Sequence, residues 1–203
     1  MSVVVLFGFE PFLEFKENPS QLIIKSLDGT TIGNNRVKGV LLPVEYSEVE
    51  ERIMAELAVE KPRLALGIGV APGRNRVTPE KIAINLKHAS EPDNSGKLLE
   101  GDPIDRQQPD GIFTNLPVEE LVKELNSSGI PASLSFSAGA YLCNNAMFVI
   151  VREARKKGFG GGFIHIPCHS EYVASSVKES RNLASLPLES LQKSIEIAVR
   201  RFS

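Results

Sequence analysis

The strongest constraint on the fold is a regular alternation between apolar, β-branched runs and amphipathic stretches. Residues 3–7 form an unbroken apolar run that stops at Gly8, as a strand buried on both faces of a parallel sheet does. Residues 36–42, ended by Pro43, and residues 64–69 are further strands of this kind. Asn18-Pro19 supplies a capping side chain and a residue suited to the first helical position, so a helix is predicted from there to about Leu27. Residues 45–60 repeat Val49, Ile53 and Leu57 at spacing four, one face of a helix that Pro62 stops. The alternation continues with a strand at 81–86, a helix at 117–126, a strand at 132–136 and a helix at 140–157 after Gly139. Glycines 158 and 160–162 read as a turn into a strand at 163–166. The last helix carries Leu188, Leu191, Ile195, Val199 and Phe202 on one face. The pattern predicts an α/β protein: a single-domain α/β/α sandwich with helices on both faces of a mostly parallel, twisted sheet. No linker or internal repeat divides the chain, so residues 1–203 read as one domain.

Charge and composition narrow the partners. Twenty-three Lys and Arg against twenty-five Asp and Glu leave a net charge of −2, without the basic excess that nucleic-acid phosphates require. With 42% apolar and 24% charged residues the chain is a folding rather than a disordered one. Cys143 and Cys168 are too few for a disulfide scaffold or a four-thiolate zinc site. No apolar run approaches the roughly twenty residues of a membrane span. The first residues lack the basic region and apolar length of a signal peptide. The expectation is a cytoplasmic protein with reduced thiols, no nucleic acid and no membrane partner.

Open α/β sheets place their sites at the carboxyl ends of strands. Three unusual segments lie at such ends: residues 8–12, residues 70–74 and His165-Ile166-Pro167. The irregular stretch 88–114 is longer than ordinary connections and suggests a functional loop. Cys143 stands near a helix start, where the dipole and free N–H groups lower a thiol pKa and can hold an oxyanion; it also reads as a small buried hydrophobe. Asn144 and Asn145 are poor helix formers and point to a specific role there. His165 reads either as a hydrogen-bonded core residue or as a general base for a thiol. Glu80, ahead of the strand at 81–86, reads as a solvated residue or as the acid that orients such an imidazole. Cys168 and His169 do not stand at a zinc-ligand spacing from His165, so no metal is expected. Gly67-Ile-Gly69 with Gly73 lacks the Rossmann and P-loop spacings, and Gly160–162 leads into a strand, so no nucleotide is implied. Phe9, Phe12 and Phe15 sit in a strand-end loop and read as a pocket wall.

Taken together these segments resemble the pyroglutamyl peptidase I family, the pyrrolidone-carboxylate peptidases. The matching stretches are Phe7-Gly-Phe-Glu-Pro-Phe12, Asn18-Pro-Ser20, Ala71-Pro-Gly-Arg74, Glu80 with Ala83-Ile-Asn85, Pro92-Asp-Asn94, Ser137-Ala-Gly139 with Leu142-Cys-Asn144, and Gly162-Phe-Ile-His-Ile-Pro167. They run in the family's order from residue 5 to about 167, and beyond that the chain matches only in helical character. The resemblance implies an α/β/α catalytic domain, commonly tetrameric, that removes N-terminal pyroglutamate from peptides as a cysteine peptidase. It puts the nucleophile on Cys143, the base on His165 and the acid on Glu80. The lactam pocket falls on Phe9, Phe12, Tyr141 and Leu142, with Asn18 bonding the ring carbonyl and the Val70 backbone bonding ring N–H and C=O. Hydrolysis of a thioacyl-enzyme needs only water, so no cofactor is implied.

Two positions depart from the family pattern. Ser90-Glu91 replaces an Arg-Ile pair, whose Arg is implied to help hold the oxyanion and whose Ile lines the pocket. Pro167-Cys-His-Ser-Glu171 replaces Pro-Tyr-Ile-Pro-Glu. The alternatives these departures leave are a related amidase acting on another small N-terminal group, or a weakened relative that binds pyroglutamyl peptides without turnover.

Overall fold

The structure, a computed structural model, describes residues 1–12, 17–175 and 183–203. Phe15, which the sequence places in a pocket wall, lies outside the described residues. The first half contains β1 (Ser2–Phe9), α1 (Pro19–Leu27), β2 (Thr31–Ile32), β3 (Asn35–Leu42), α2 (Tyr46–Glu60) and β4 (Leu64–Val70). Short strands follow: β5 (Thr78–Pro79), β6 (Ile82–Ile84), β7 (Lys87–His88), β8 (Glu100–Asp102) and β9 (Gly111–Phe113). The chain then forms α3 (Val118–Ser127), α4 (Leu142–Lys157), β10 (Gly160–Ile166), β11 (Cys168–His169), α5 (Ser170–Ser175), β12 (Ser185–Leu186) and α6 (Leu188–Phe202).

The main sheet has the order β2-β3-β1-β4-β10-β5. Its four central strands are parallel, and β2 and β5 run antiparallel at the edges. Successive residues of β1 serve opposite faces. Val4 and Leu6 pack with Ile23 of α1, Leu121 of α3 and Ile195 of α6. Val5 and Phe7 pack with Ile53 of α2 and Ala146 and Ile150 of α4. Each such buried aliphatic or aromatic side chain contributes about 1.5–3 kcal/mol. The continuous apolar run at residues 3–7 therefore has its cause in a strand covered on both faces.

The sheet parts where the site forms. Pairing of β1 with β3 continues to Phe9 and Leu42, whereas pairing of β1 with β4 stops at Phe7 and Gly67. β4 itself runs on to Val70 beside β10. The strand order reverses at this junction, and the crevice at the carboxyl ends is the usual ligand site of such sheets.

Three local expectations need correction. Residues 132–136 make only the isolated parallel bridges Val77–Ala132 and Glu80–Ser135. The donors are Val77 N to Pro131 O, Ser133 N to Val77 O, Ser135 N to Pro79 O and Lys81 N to Ser135 O. The missing rung is the one Pro79 would donate, and proline has no N–H. Glycines 160–162 belong to β10 rather than to a turn. A Cβ on Gly161 would come within 2.4 Å of Ala154 Cβ, so the bare backbone lets α4 lie close over the strand. The turn itself is made at Gly158, left-handed at φ 76°. Finally, the expected strand at 81–86 shrinks to β6, paired with β9 outside the main sheet, and the stretch 88–114 contains the short strands β8 and β9.

Candidate active site

A cavity of about 270 Å³ opens in the parting between β1 and β4. Phe9, Glu10 and Phe12 reach it from the end of β1, and Asn18 from the start of α1. Val70 comes from the end of β4, Tyr141, Leu142 and Cys143 from the start of α4, and Cys168, His169 and Tyr172 from beyond β10. The Phe12 and Tyr141 rings stand 5.4 Å apart, and Tyr46 meets Tyr141 edge-on at 5.5 Å. All six residues carried over to the lactam pocket line this one cavity: Phe9, Phe12, Asn18, Val70, Tyr141 and Leu142. Asn18 is also the cap of α1, accepting from Ser20 N at 3.0 Å, while its Nδ2 donates to Glu10 O at 3.2 Å. An amide nitrogen carries two hydrogens, so one remains for a ligand.

Cys143 is the second residue of α4, and Tyr141 at the cap position makes no side-chain capping bond. The N–H groups of the first helical turn are thus not taken up by the cap. The half-buried sulfur lies against bare strand: a Cβ on Gly69 would stand 2.7 Å from Cys143 Sγ. Gly69 pairs with His165 across β4 and β10. Paired residues of parallel strands face the same way, so the imidazole lies on the sheet face that carries the sulfur. Phe163, two residues earlier on that face, packs its ring 5.0 Å from the imidazole and over Gly67.

His165 Nδ1 lies 2.7 Å from Glu80 Oε1, and the Glu80 side chain is fully buried. A carboxylate only accepts, so Nδ1 carries the proton and Nε2 is left with its lone pair. Glu80 is held in place by backbone as well, its N–H donating to Phe163 O at 2.9 Å. Arg74 Nη1 donates to the same Oε1 at 2.7 Å, and Nη2 donates to Ser137 O at 3.0 Å.

Burial pushes the Cys143 thiol up, to about 12, with the Glu80 charge adding to the rise and Arg74 opposing it. This corrects the expectation of a lowered thiol pKa: burial and the Glu80 charge raise it. Burial likewise pushes His165 down, against the opposing bond and charge of Glu80. For Glu80 burial acts upward, but His165, Ser135 and Arg74 together hold its carboxyl below the ordinary range. The resting site is therefore a neutral thiol, a neutral imidazole and an ionised carboxylate.

The whole chain, residues 1–203, matches the family model described as pyroglutamyl peptidase. A pyrrolidone-carboxylate peptidase of Saccharolobus islandicus is 56% identical over 196 residues, covering 97% of this chain and 92% of that relative. The Pyrococcus furiosus pyrrolidone-carboxylate peptidase is 38% identical, with 97% of both chains covered. A crystal structure of pyrrolidone carboxyl peptidase from that hyperthermophile superposes with TM-score 0.95 at 36% identity, covering 98% of this chain and 97% of that one. The chain belongs to the pyroglutamyl peptidase family. It is thereby a hydrolase of the cysteine peptidase class, on the single-domain α/β fold of those structures.

Several residues matching this pyroglutamyl peptidase pattern are scaffolding. Asn85 Oδ1 accepts from Ile104 N and Asp105 N, at 2.8 and 2.9 Å. Asp93 is buried and accepts from Tyr46 N, Ser95 N and Lys97 N. Asn144 accepts from Ile84 N and donates to Ile84 O and Leu86 O, stapling β6 to α4. Asn145 is buried, with no hydrogen-bond partner for its side-chain amide among the described residues. Ser90 and Glu91, the departing pair, are exposed and stand outside the cavity lining. His169 is buried in the cavity wall, Nε2 3.5 Å from Glu17 Oε2 and Nδ1 without a hydrogen-bond partner among the described residues. Arg74 was visible within Ala71-Pro-Gly-Arg74, but its bond to Glu80 was not. Nothing local in the sequence shows that Glu80 is buried.

Proposed function

We propose that this protein hydrolyses the amide bond after an N-terminal pyroglutamyl residue through a thioacyl-enzyme on Cys143. The observation that carries the reading is the line Cys143–Gly69–His165–Glu80 at the edge of an apolar cavity: sulfur on Gly69, Gly69 paired with His165, and His165 bonded to Glu80 at 2.7 Å. Cys143 Sγ attacks the carbonyl carbon following the ring, and His165 Nε2 takes the thiol proton as the C–S bond forms. First-turn N–H groups of α4 receive the oxyanion. Collapse breaks the C–N bond, and the imidazolium returns its proton to the leaving amine. Water then attacks the thioester, again with His165 as base, releasing pyroglutamate and the thiol. Glu80 keeps the imidazole in the Nδ1–H tautomer and balances its transient charge.

The lactam is an uncharged ring, which suits walls of Phe9, Phe12, Tyr141 and Leu142. Asn18 Nδ2 donates to the ring carbonyl, and the Val70 backbone bonds ring N–H and C=O. A free α-ammonium would lose its hydration against those apolar walls, so ordinary amino termini are disfavoured. No cofactor takes part. We further propose that residues 1–203 act as one catalytic domain in a cytoplasmic homotetramer. Among the described residues no helix is long and apolar enough to cross a membrane. Sedimentation at micromolar concentration is expected to show a species well above 22.2 kDa; only monomer would overturn the assembly. The activity is tested with a chromogenic pyroglutamyl amide beside alanyl and prolyl amides. Cleavage of the pyroglutamyl amide alone is expected, and equal cleavage of the others would refute the reading.

A further inference from the structure

We propose that Arg74 is a positioning residue that keeps the Glu80–His165 pair from taking up a second proton, so that His165 meets the thiol as a proton acceptor. The inference rests on the reading of His165 as the base, and goes beyond it. Arg74 Nη1 and His165 Nδ1 both donate to Glu80 Oε1 at 2.7 Å, while Oε2 has no hydrogen-bond partner among the described residues. The charge of a fully buried carboxylate is thus balanced at one oxygen by two donors. Arg74 also bonds Thr78 Oγ1, and its Nη2 reaches Ser137 O, six residues before Cys143 on the segment leading into α4. Thr78 Oγ1 in turn donates to His165 O at 3.3 Å. One guanidinium therefore ties together the acid, the strand of the base and the approach to the nucleophile.

Charge counting gives the consequence. With Arg74 in place, a guanidinium, a carboxylate and a neutral imidazole sum to zero. Without it, the buried carboxylate recovers neutrality by taking a proton onto its partner, as imidazolium and carboxylate. Among the described residues the charged groups acting on His165 are Glu80 and Arg74, and Cys143 lies against its strand partner Gly69; Phe163 and Thr78, which also touch it, carry no charge. An imidazolium cannot accept the thiol proton, so removal of Arg74 withdraws the base at neutral pH and restores it at higher pH. Arg74 is committed to this network and is not a candidate for replacing the oxyanion donor that Ser90 lacks.

The test has two independent readouts. In Cys143→Ala protein, the imidazole resonances of the three histidines are followed against pH, with His165 assigned through His165→Gln. Arg74→Gln is expected to raise the His165 midpoint by at least about one pH unit, a tenfold gain in proton affinity, while Arg74→Lys, which keeps the charge, shifts it less. In the active protein, the acidic limb of kcat/KM for a pyroglutamyl amide is expected to move up by the same amount with Arg74→Gln, most of the kcat returning at high pH. An unmoved His165 midpoint in both variants overturns the inference, as does a pH-independent loss of kcat. The resonance experiment does not depend on activity, so absence of pyroglutamyl hydrolysis would refute the proposed function while leaving the Arg74 inference to stand or fall on the histidine titration.

Discussion

The sulfur of Cys143 occupies the space that a side chain on Gly69 would take, 2.7 Å from the position of a Cβ there. Phe163 ring atoms stand 3.0 Å from the same point. Gly69→Ala is therefore expected to push the Cys143 sulfur, the proposed nucleophile, out of line while leaving every proposed reacting group present. A displacement near 1 Å costs on the order of 10²-fold in rate, and overpacking costs about 1–3 kcal/mol of stability. Steady-state kinetics beside urea unfolding check both; an alanine variant with native kcat would mean the sulfur sits elsewhere.

His165 and Glu80 should differ in weight. Loss of a general base typically removes about 10²–10⁴ of rate, and His165→Ala is expected in that range. Glu80→Gln keeps an Oε1 that accepts from His165 and Arg74, and its amide nitrogen takes the place of the unpartnered Oε2. Its kcat should fall less than that of His165→Ala. The reverse order would assign the base role differently.

The same pair makes the fold sensitive to acid. His165 is depressed in the folded state by burial, so below its ordinary value of about 6.5 the unfolded chain binds more protons. Glu80 is also held low, by His165, Ser135 and Arg74 against its burial, and its contribution is present above the ordinary carboxylate range and lost as pH falls through the folded value. Both signs agree: stability is expected to drop from about pH 6.5 downward. Urea midpoints measured across pH should show this slope, and His165→Gln should flatten its upper part.

Ser90 is exposed and stands outside the cavity lining, so an arginine introduced there is solvated rather than preorganised. A preorganised oxyanion donor is worth about 10²–10³ in kcat, and Ser90→Arg should recover only part of that, with KM nearly unchanged. No change in kcat would contradict a role for this position in holding the oxyanion.

What the sequence made legible follows from what is local. The apolar runs, the Asn18-Pro19 helix start, the strand-end His165 and the helix-start Cys143 announce themselves through periodicity and capping chemistry. The parting of β1 from β4, the pairing of Gly69 with His165 and the burial of Glu80 depend on residues far apart in the chain. Gly67 and Gly69 looked like a failed phosphate loop because the Phe163 ring and Cys143 sulfur that need their space lie some seventy to a hundred residues away. Pro79 broke a ladder that reads as continuous from 132–136 alone, since the missing donor is on the partner segment.

The most direct measurement is a peptide map of protein mixed with a pyroglutamyl amide and quenched in acid during turnover. The expected result is a single pyroglutamyl group on the peptide containing Cys143, absent in Cys143→Ala, which should also be inactive while retaining its circular dichroism spectrum. A pyroglutamyl group on Cys168, or undiminished hydrolysis by Cys143→Ala, would contradict it.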